Sequence, residues 1–141
     1  MRPPKIVLSM AMLLGTMMTA IGDYALTSND ERVMFDWLIW NCSNHLKDGY
    51  RHSIPQIQDE TKIARHTQEK IISKFEELGF LEVQNTMYKN SRYRTFFVAF
   101  GILAKDEVLS KIFHKDSTLY RANKKAFFDL DKLQRSRGHP F

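Results

Sequence analysis

Residues 52–84, HSIPQIQDETKIARHTQEKIISKFEELGFLEVQ, carry two helical patterns, a tight turn between them and the start of a strand. Ser53 is placed to cap the first helix, and Pro55 fits its first turn, where the missing N–H has no helical partner to lose. That helix holds Ile54 and Ile57 and runs out near Glu60. Thr61, Lys62 and Ile63 form a short turn with one inward apolar residue. A longer helix is predicted from Ala64 or Arg65, with Ile71, Ile72, Phe75 and Leu78 at helical spacing. Gly79 closes it, as a glycine past the last turn does. Phe80 to Val83 reads as a strand, Gln84 to Ser91 as a polar loop, and Arg92 to Phe100 (RYRTFFVAF) as a second strand rich in aromatic and β-branched residues. Together the strands and loop predict a hairpin.

Upstream, Ser28-Asn29-Asp30-Glu31 has the pattern of a capping box, in which Glu31 would reach back to the Ser28 N–H. The helix it opens carries Val33, Met34, Trp37, Leu38 and Trp40 and fades at Asn44. Lys47-Asp48-Gly49 is the next break. Downstream, Ala104 to Phe113 reads as a helix with Val108, Leu109, Ile112 and Phe113 on its apolar side. A further helix around Leu119 to Leu133 carries Tyr120, Phe127, Phe128, Leu130 and Leu133, and Arg135 onward reads as a frayed basic tail.

At 141 residues the chain suits one domain with arms. A hydrophobic fraction of 43% and an aromatic fraction of 12% supply a core and exclude global disorder. Few glycines and prolines suit a mainly helical chain. The formal charge of +5 is compatible with nucleic acid or another anionic surface. The single cysteine, Cys42, excludes an internal disulfide framework and a cysteine-based zinc site, and its apolar helical setting predicts an inert buried thiol.

Residues 1–21, MRPPKIVLSMAMLLGTMMTAI, have the outline of a secretory signal. The apolar run is about 16 residues, short of the roughly 20 that a membrane span needs. On a helical projection Ile6, Met10, Leu13, Leu14, Met17, Met18 and Ile21 fall in one arc, and no good small-x-small cleavage site follows. An amphipathic helix is therefore expected in preference to a signal. Leu8 and Met12, left outside the arc, point to contact with a second chain.

Short helix, turn, longer helix, glycine, strand, loop, strand is the order of a winged helix-turn-helix, and the segment IPQIQDETKIARHTQEKIISKFEELGFLEV resembles that family. The acidic end of the first helix, the hydrophobic turn residue Ile63, the small Ala64, Thr67 three positions on, and the run into Phe80 all match its pattern. The resemblance covers residues 24–100, roughly half of the chain. It extends to plasmid replication initiators of the Firmicute-plasmid type, which place a similar stretch to Leu26-Thr27-Ser28-Asn29-Asp30-Glu31-Arg32-Val33 before the helix-turn-helix. MarR-like regulators share the same core. Two positions depart from the family pattern: Gln68 stands where an aliphatic residue is usual, and Lys62 where many members have glycine.

The expected fold is mainly α with a small β-hairpin: a winged helix-turn-helix with extra N- and C-terminal helices. The expected division is an N-terminal dimerisation arm (residues 1–23), the winged helix (24–103), and a C-terminal helical extension with a basic tail (104–141). With Ile71, Ile72 and Phe75 inward, Arg65, His66, Glu69, Lys70 and Ser73 lie on the outward side of the recognition helix, with Thr67 in its first turn. Arg65 can pair with both guanine acceptors, whereas Lys70 and Lys74 are point charges suited to phosphate. Glu69 either reads cytosine or pairs with a neighbouring cation. Around the hairpin, Lys89, Arg92 and Arg94 can reach the backbone or minor groove, and the two arginines share one strand face.

No catalytic pattern stands out. His45, His52, His66, His114 and His139 are scattered, with His45 and His52 expected at the surface flanking a turn. No phosphate-binding glycine loop, nucleophile elbow or dinucleotide turn occurs. The adjacent carboxylates Glu76 and Glu77 point about 100° apart on a helix, which suits a solvated face. The expectation is a cytoplasmic, non-enzymatic, homodimeric protein that binds double-stranded DNA without cofactor, metal or membrane, in plasmid replication initiation or its control. The alternatives are a MarR-like transcription regulator and a winged-helix protein-interaction module.

Overall fold

The computed structural model of the chain describes residues 21–136. The expected N-terminal arm, up to residue 20, and the tail beyond Ser136 lie outside the described residues. After a turn of 3-10 helix at Ile21–Asp23, the elements are α1 (Asn29–Cys42), β1 (Tyr50–His52), α2 (Ile54–Thr61), α3 (Arg65–Glu77), β2 (Leu81–Tyr88), β3 (Ser91–Val98), α4 (Phe100–Leu103), α5 (Asp106–Leu109) and α6 (Thr118–Ser136). The three strands form one antiparallel sheet in the order β1-β3-β2. Helices leading into a three-stranded antiparallel sheet match winged helix-turn-helix topology.

The helix ends follow local chemistry. Ser28 caps α1, accepting from the Glu31 N–H. The second leg of the expected capping box is missing, because the Glu31 carboxylate is taken by Lys74 on α3. Both legs are made at α2 instead: Ser53 Oγ accepts from Gln56 N, and Gln56 Oε1 accepts from Ser53 N. Between α2 and α3 the chain reverses through Lys62, whose φ of 63° is left-handed. That is the conformation that favours glycine in this turn.

The structure adds one strand and corrects two expectations. The added strand is β1, Tyr50–His52, which pairs Tyr50 with Phe96 and His52 with Arg94. A three-residue strand has too little alternation to stand out. Its approach depends on Gly49, at φ 75°, where a Cβ would lie 2.7 Å from the Phe97 ring. The first correction is the wing. Instead of a polar loop between short strands, β2 and β3 pair continuously from Leu81–Val98 to Tyr88–Ser91. Only Lys89 and Asn90 make the turn, with φ of 50° and 65°. Two left-handed residues give the turn twist that suits a tight hairpin. The second is the stretch from 99 to 113. β3 ends at Val98, and Phe100 opens α4 rather than extending the strand. The helix expected at Ala104 to Phe113 is only the single turn of α5, Asp106–Leu109, and α4 precedes it. Buried Gln134 on α6 marks this bend, accepting from Phe100 N and donating to Val98 O at 2.8 Å.

Phe35 on α1 is the hub of the core. Its ring meets Phe75 of α3, Phe80 before β2, Phe113 after α5 and Phe127 of α6, with centroids 5.8–6.5 Å apart. The C-terminal extension thus packs into the same core as the winged helix. Residues 23–25 and 112–114 bridge as short antiparallel chain, through Ala25 N to Ile112 O and His114 N to Asp23 O. Asp23 also accepts from Leu119 N at the start of α6.

Other residues differ from their expected positions. Trp40 is 39% exposed, whereas Phe35, Ile39 and Cys42 join Met34, Trp37 and Leu38 inside. Cys42 is buried as expected, and burial pushes its thiol well above the ordinary value. His52 is not a surface residue: its ring lies against Trp37 and Tyr50, and its Nε2 meets Glu60. Among the described residues, no helix is long and apolar enough to cross a membrane.

Candidate nucleic-acid interface

Helix α3 has no side-chain cap, because its N-cap residue is Ala64. Its first-turn N–H groups therefore have no side-chain acceptor, and a helix N-terminus in that condition suits an anion. Arg65, His66, Glu69, Lys70, Ser73 and Lys74 are all exposed, Thr67 is half-buried, and Ile71, Ile72 and Phe75 face inward. The helical period thus separates the outward face from the core face where the sequence placed them.

The face is not a row of free cations. Arg65 Nε donates to Glu69 Oε1 at 3.2 Å, one turn on. Of the two roles open to Glu69, pairing with a neighbouring cation is the one observed. An exposed pair of this kind is worth only about 0.3–0.5 kcal/mol, so a phosphate or base can displace it. Lys74 is held by Glu31 of α1, and Lys70 makes no ion pair among the described residues.

The wing brings one arginine to the helix and buries the other. An open groove of about 370 Å³ is lined by Ile54, Pro55 and Gln58 of α2, Arg65 of α3 and Arg92 of β3. Two guanidinium groups from different elements thus share one concave surface. Lys89 is exposed at the hairpin tip, beside Met87, which is 67% exposed.

Arg94 is the correction within the site. It shares a strand face with Arg92, as alternation requires, but two residues nearer the core that face turns inward. Arg94 is only 7% exposed, and its Nη2 donates to Gln68 Oε1 at 3.0 Å. It therefore offers no contact to a phosphate. Burial lowers its pKa, partly offset by the nearby Glu69 and Glu76 carboxylates.

Gln68 explains the departure from an aliphatic residue. It is completely buried, donating to Ile63 O at 2.8 Å and to Ile54 O at 3.4 Å while accepting from Arg94. One side chain thus ties α2, the turn, α3 and the wing together. A buried polar group that finds this many partners avoids the usual desolvation penalty.

Sequence reasoning missed Gln68, the groove residues Pro55 and Gln58, and Arg51 on β1. Arg51 is exposed, with its guanidinium 5.6 Å from the Tyr93 ring centroid. Gln68 left a signal, a polar residue at a position the pattern reserves for the core. Arg51 left none, since β1 itself was unmarked.

Comparisons of the chain with protein-family models, with curated proteins and with solved structures found no significant match.

Proposed function

We propose that this protein binds double-stranded DNA through α3 and the β2–β3 wing. The observation that carries the reading is the shared groove in which Arg65, at the start of the recognition helix, and Arg92, on the wing, line one open surface. Uncapped N–H groups at Ala64 and exposed His66, Lys70 and Lys89 add to an anion-attracting face. In this reading Arg65 faces base edges, with Thr67 and Ser73 beside it. Lys70, Lys89 and Arg92 contact phosphates.

The binding is non-enzymatic and needs no cofactor. The protein acts as a homodimer through its N-terminal segment, so that paired half-sites match a two-fold axis. The resemblance of residues 24–100 favours replication initiation on a plasmid, in the cytoplasm, over transcriptional regulation. Selection of bound duplexes from a random library, followed by a salt titration on the winner, tests the reading. Enrichment of a defined site and a falling affinity with salt are expected. No duplex binding at low salt would overturn it in favour of a protein-interaction module. Maintenance of a plasmid bearing the selected site separates an initiator from a regulator, and sedimentation at micromolar concentration tests the dimer.

A further inference from the structure

The exposed side of α6 has a composition that DNA reading by α3 does not use. At about 100° per residue, Arg121, Lys124, Lys125, Phe128 and Lys132 fall within an arc of roughly 100°. That arc lies opposite Ala126, Phe127 and Leu130, which are buried against the core. The basic arc borders an open groove of about 490 Å³, whose lining includes Lys115, Arg121, Lys124, Lys125 and Phe128.

Two carboxylates, Asp106 and Asp116, also line the groove. Asp106 is already engaged, by Lys124 Nζ at 2.6 Å and by the Tyr120 hydroxyl. Those two hydrogen bonds hold its carboxyl below the usual range. Arg121 is braced by the main-chain oxygen of Asp116. Lys115 and Lys125 make no ion pair among the described residues. The positive charge of the groove therefore exceeds what its acids can neutralise. In its midst Phe128 is 53% exposed, with Lys132 Nζ 4.6 Å from its ring centroid.

Cations spaced around an exposed aromatic ring match a chain of phosphates carrying planar bases. Duplex bases are already stacked and cannot use such a ring, whereas unpaired bases can. An acidic peptide would meet the cations but leave the ring without a planar partner.

We propose that this groove is a second nucleic-acid site, for a single-stranded polynucleotide, with phosphates on Lys115, Arg121 and Lys125 and a base stacked on Phe128. From Arg121 to Lys132 the stripe spans roughly 16 Å of helix, room for two or three nucleotides. The site is separate from the α3–wing face and does not depend on it.

The test is fluorescence anisotropy of the full chain with labelled oligodeoxythymidylate and oligouridylate of equal length, at low salt. Phe128→Leu keeps an apolar side chain but removes the stacking surface, and should weaken binding roughly five- to hundredfold. Arg121→Gln with Lys125→Gln should weaken it and flatten the salt dependence. An abasic phosphodiester of the same length should bind more weakly than the oligonucleotide. Arg65→Ala should leave all of these values unchanged while reducing duplex binding, which keeps the two sites distinguishable. All the substituted side chains are exposed, so circular dichroism should match the parent protein. Unchanged affinity in a folded Phe128→Leu protein would overturn the proposal. So would displacement of the oligonucleotide by polyglutamate at equal charge, or loss of oligonucleotide binding in Arg65→Ala alone.

Discussion

Arg94 on β3 donates a buried hydrogen bond to Gln68 on α3, 3.0 Å across the interface between them. The Arg94 Nε is itself buried and makes no hydrogen bond, so this arginine has little to spare. The orientation of the wing relative to α3, and hence the groove shared by Arg65 and Arg92, depends on a polar contact between two buried residues. Replacing Gln68 with Leu should leave Arg94 buried without its acceptor and destabilise the fold by about 2–4 kcal/mol. Gln68→Leu combined with Arg94→Met should recover much of that loss. Urea denaturation of the two single variants and the double variant measures the coupling, expected at about 1–3 kcal/mol.

Arg65→Ala should cost roughly 1–3 kcal/mol on the selected duplex site and much less on random duplex. Lys89→Ala and Arg92→Ala should weaken both duplexes about equally, each reducing the salt slope by about 0.9. Lys74→Ala should have a smaller effect on the slope, because Glu31 already holds that ammonium. Equal losses on both duplexes at Arg65, Lys89 and Arg92 would mean that α3 lies along the backbone and reads no sequence.

Stability should fall as pH rises through neutrality, on account of Asp36. Burial raises its carboxyl from an ordinary 3.8 to about 7, against the opposing pull of the Tyr24 hydroxyl and the Arg32 charge. Tyr24 Oη donates to both Asp36 oxygens, at 2.9 and 3.0 Å. A folded value above the unfolded one means that folding takes up a proton. The resulting stability is complete below about pH 4 and is lost as pH rises through about 7. Asp36→Asn should remove this dependence and be more stable than the parent at pH 8, by on the order of a few kcal/mol. Thermal melts of both proteins between pH 5 and pH 8.5 check it; parallel curves would refute it.

Lys62→Gly should stabilise the protein. Lys62 pays for its φ of 63° with left-handed strain of about 1 kcal/mol. Glycine removes the strain but gains freedom in the unfolded chain, so the net gain should be roughly 0.5 kcal/mol. Its side chain is exposed, so the change should leave duplex affinity intact. A melting temperature below the parent's would contradict this.

The local order of elements was legible without the structure wherever short-range chemistry sets it. Ser28 and Ser53 cap the helices predicted from them. Ile71, Ile72 and Phe75 recur at helical period and are buried, and Gly79 ends α3 with a φ of 93°. The same period placed Arg65, His66, Lys70 and Ser73 outward, because residues one turn apart share a face. What the tertiary structure decided depends on residues distant in sequence. Strand β1 exists only because Tyr50 to His52 finds β3 more than forty residues away. Arg92 and Arg94 carry the same charge and share a strand face, yet Arg92 opens onto the groove and Arg94 is buried. The difference lies in where α3 crosses the sheet and sets Gln68 beside Arg94. Lys74 is likewise diverted by Glu31, which sits 43 positions away in the chain. Periodicity reports which side of an element a residue occupies. Whether that side meets solvent, core or a partner depends on which other elements pack there.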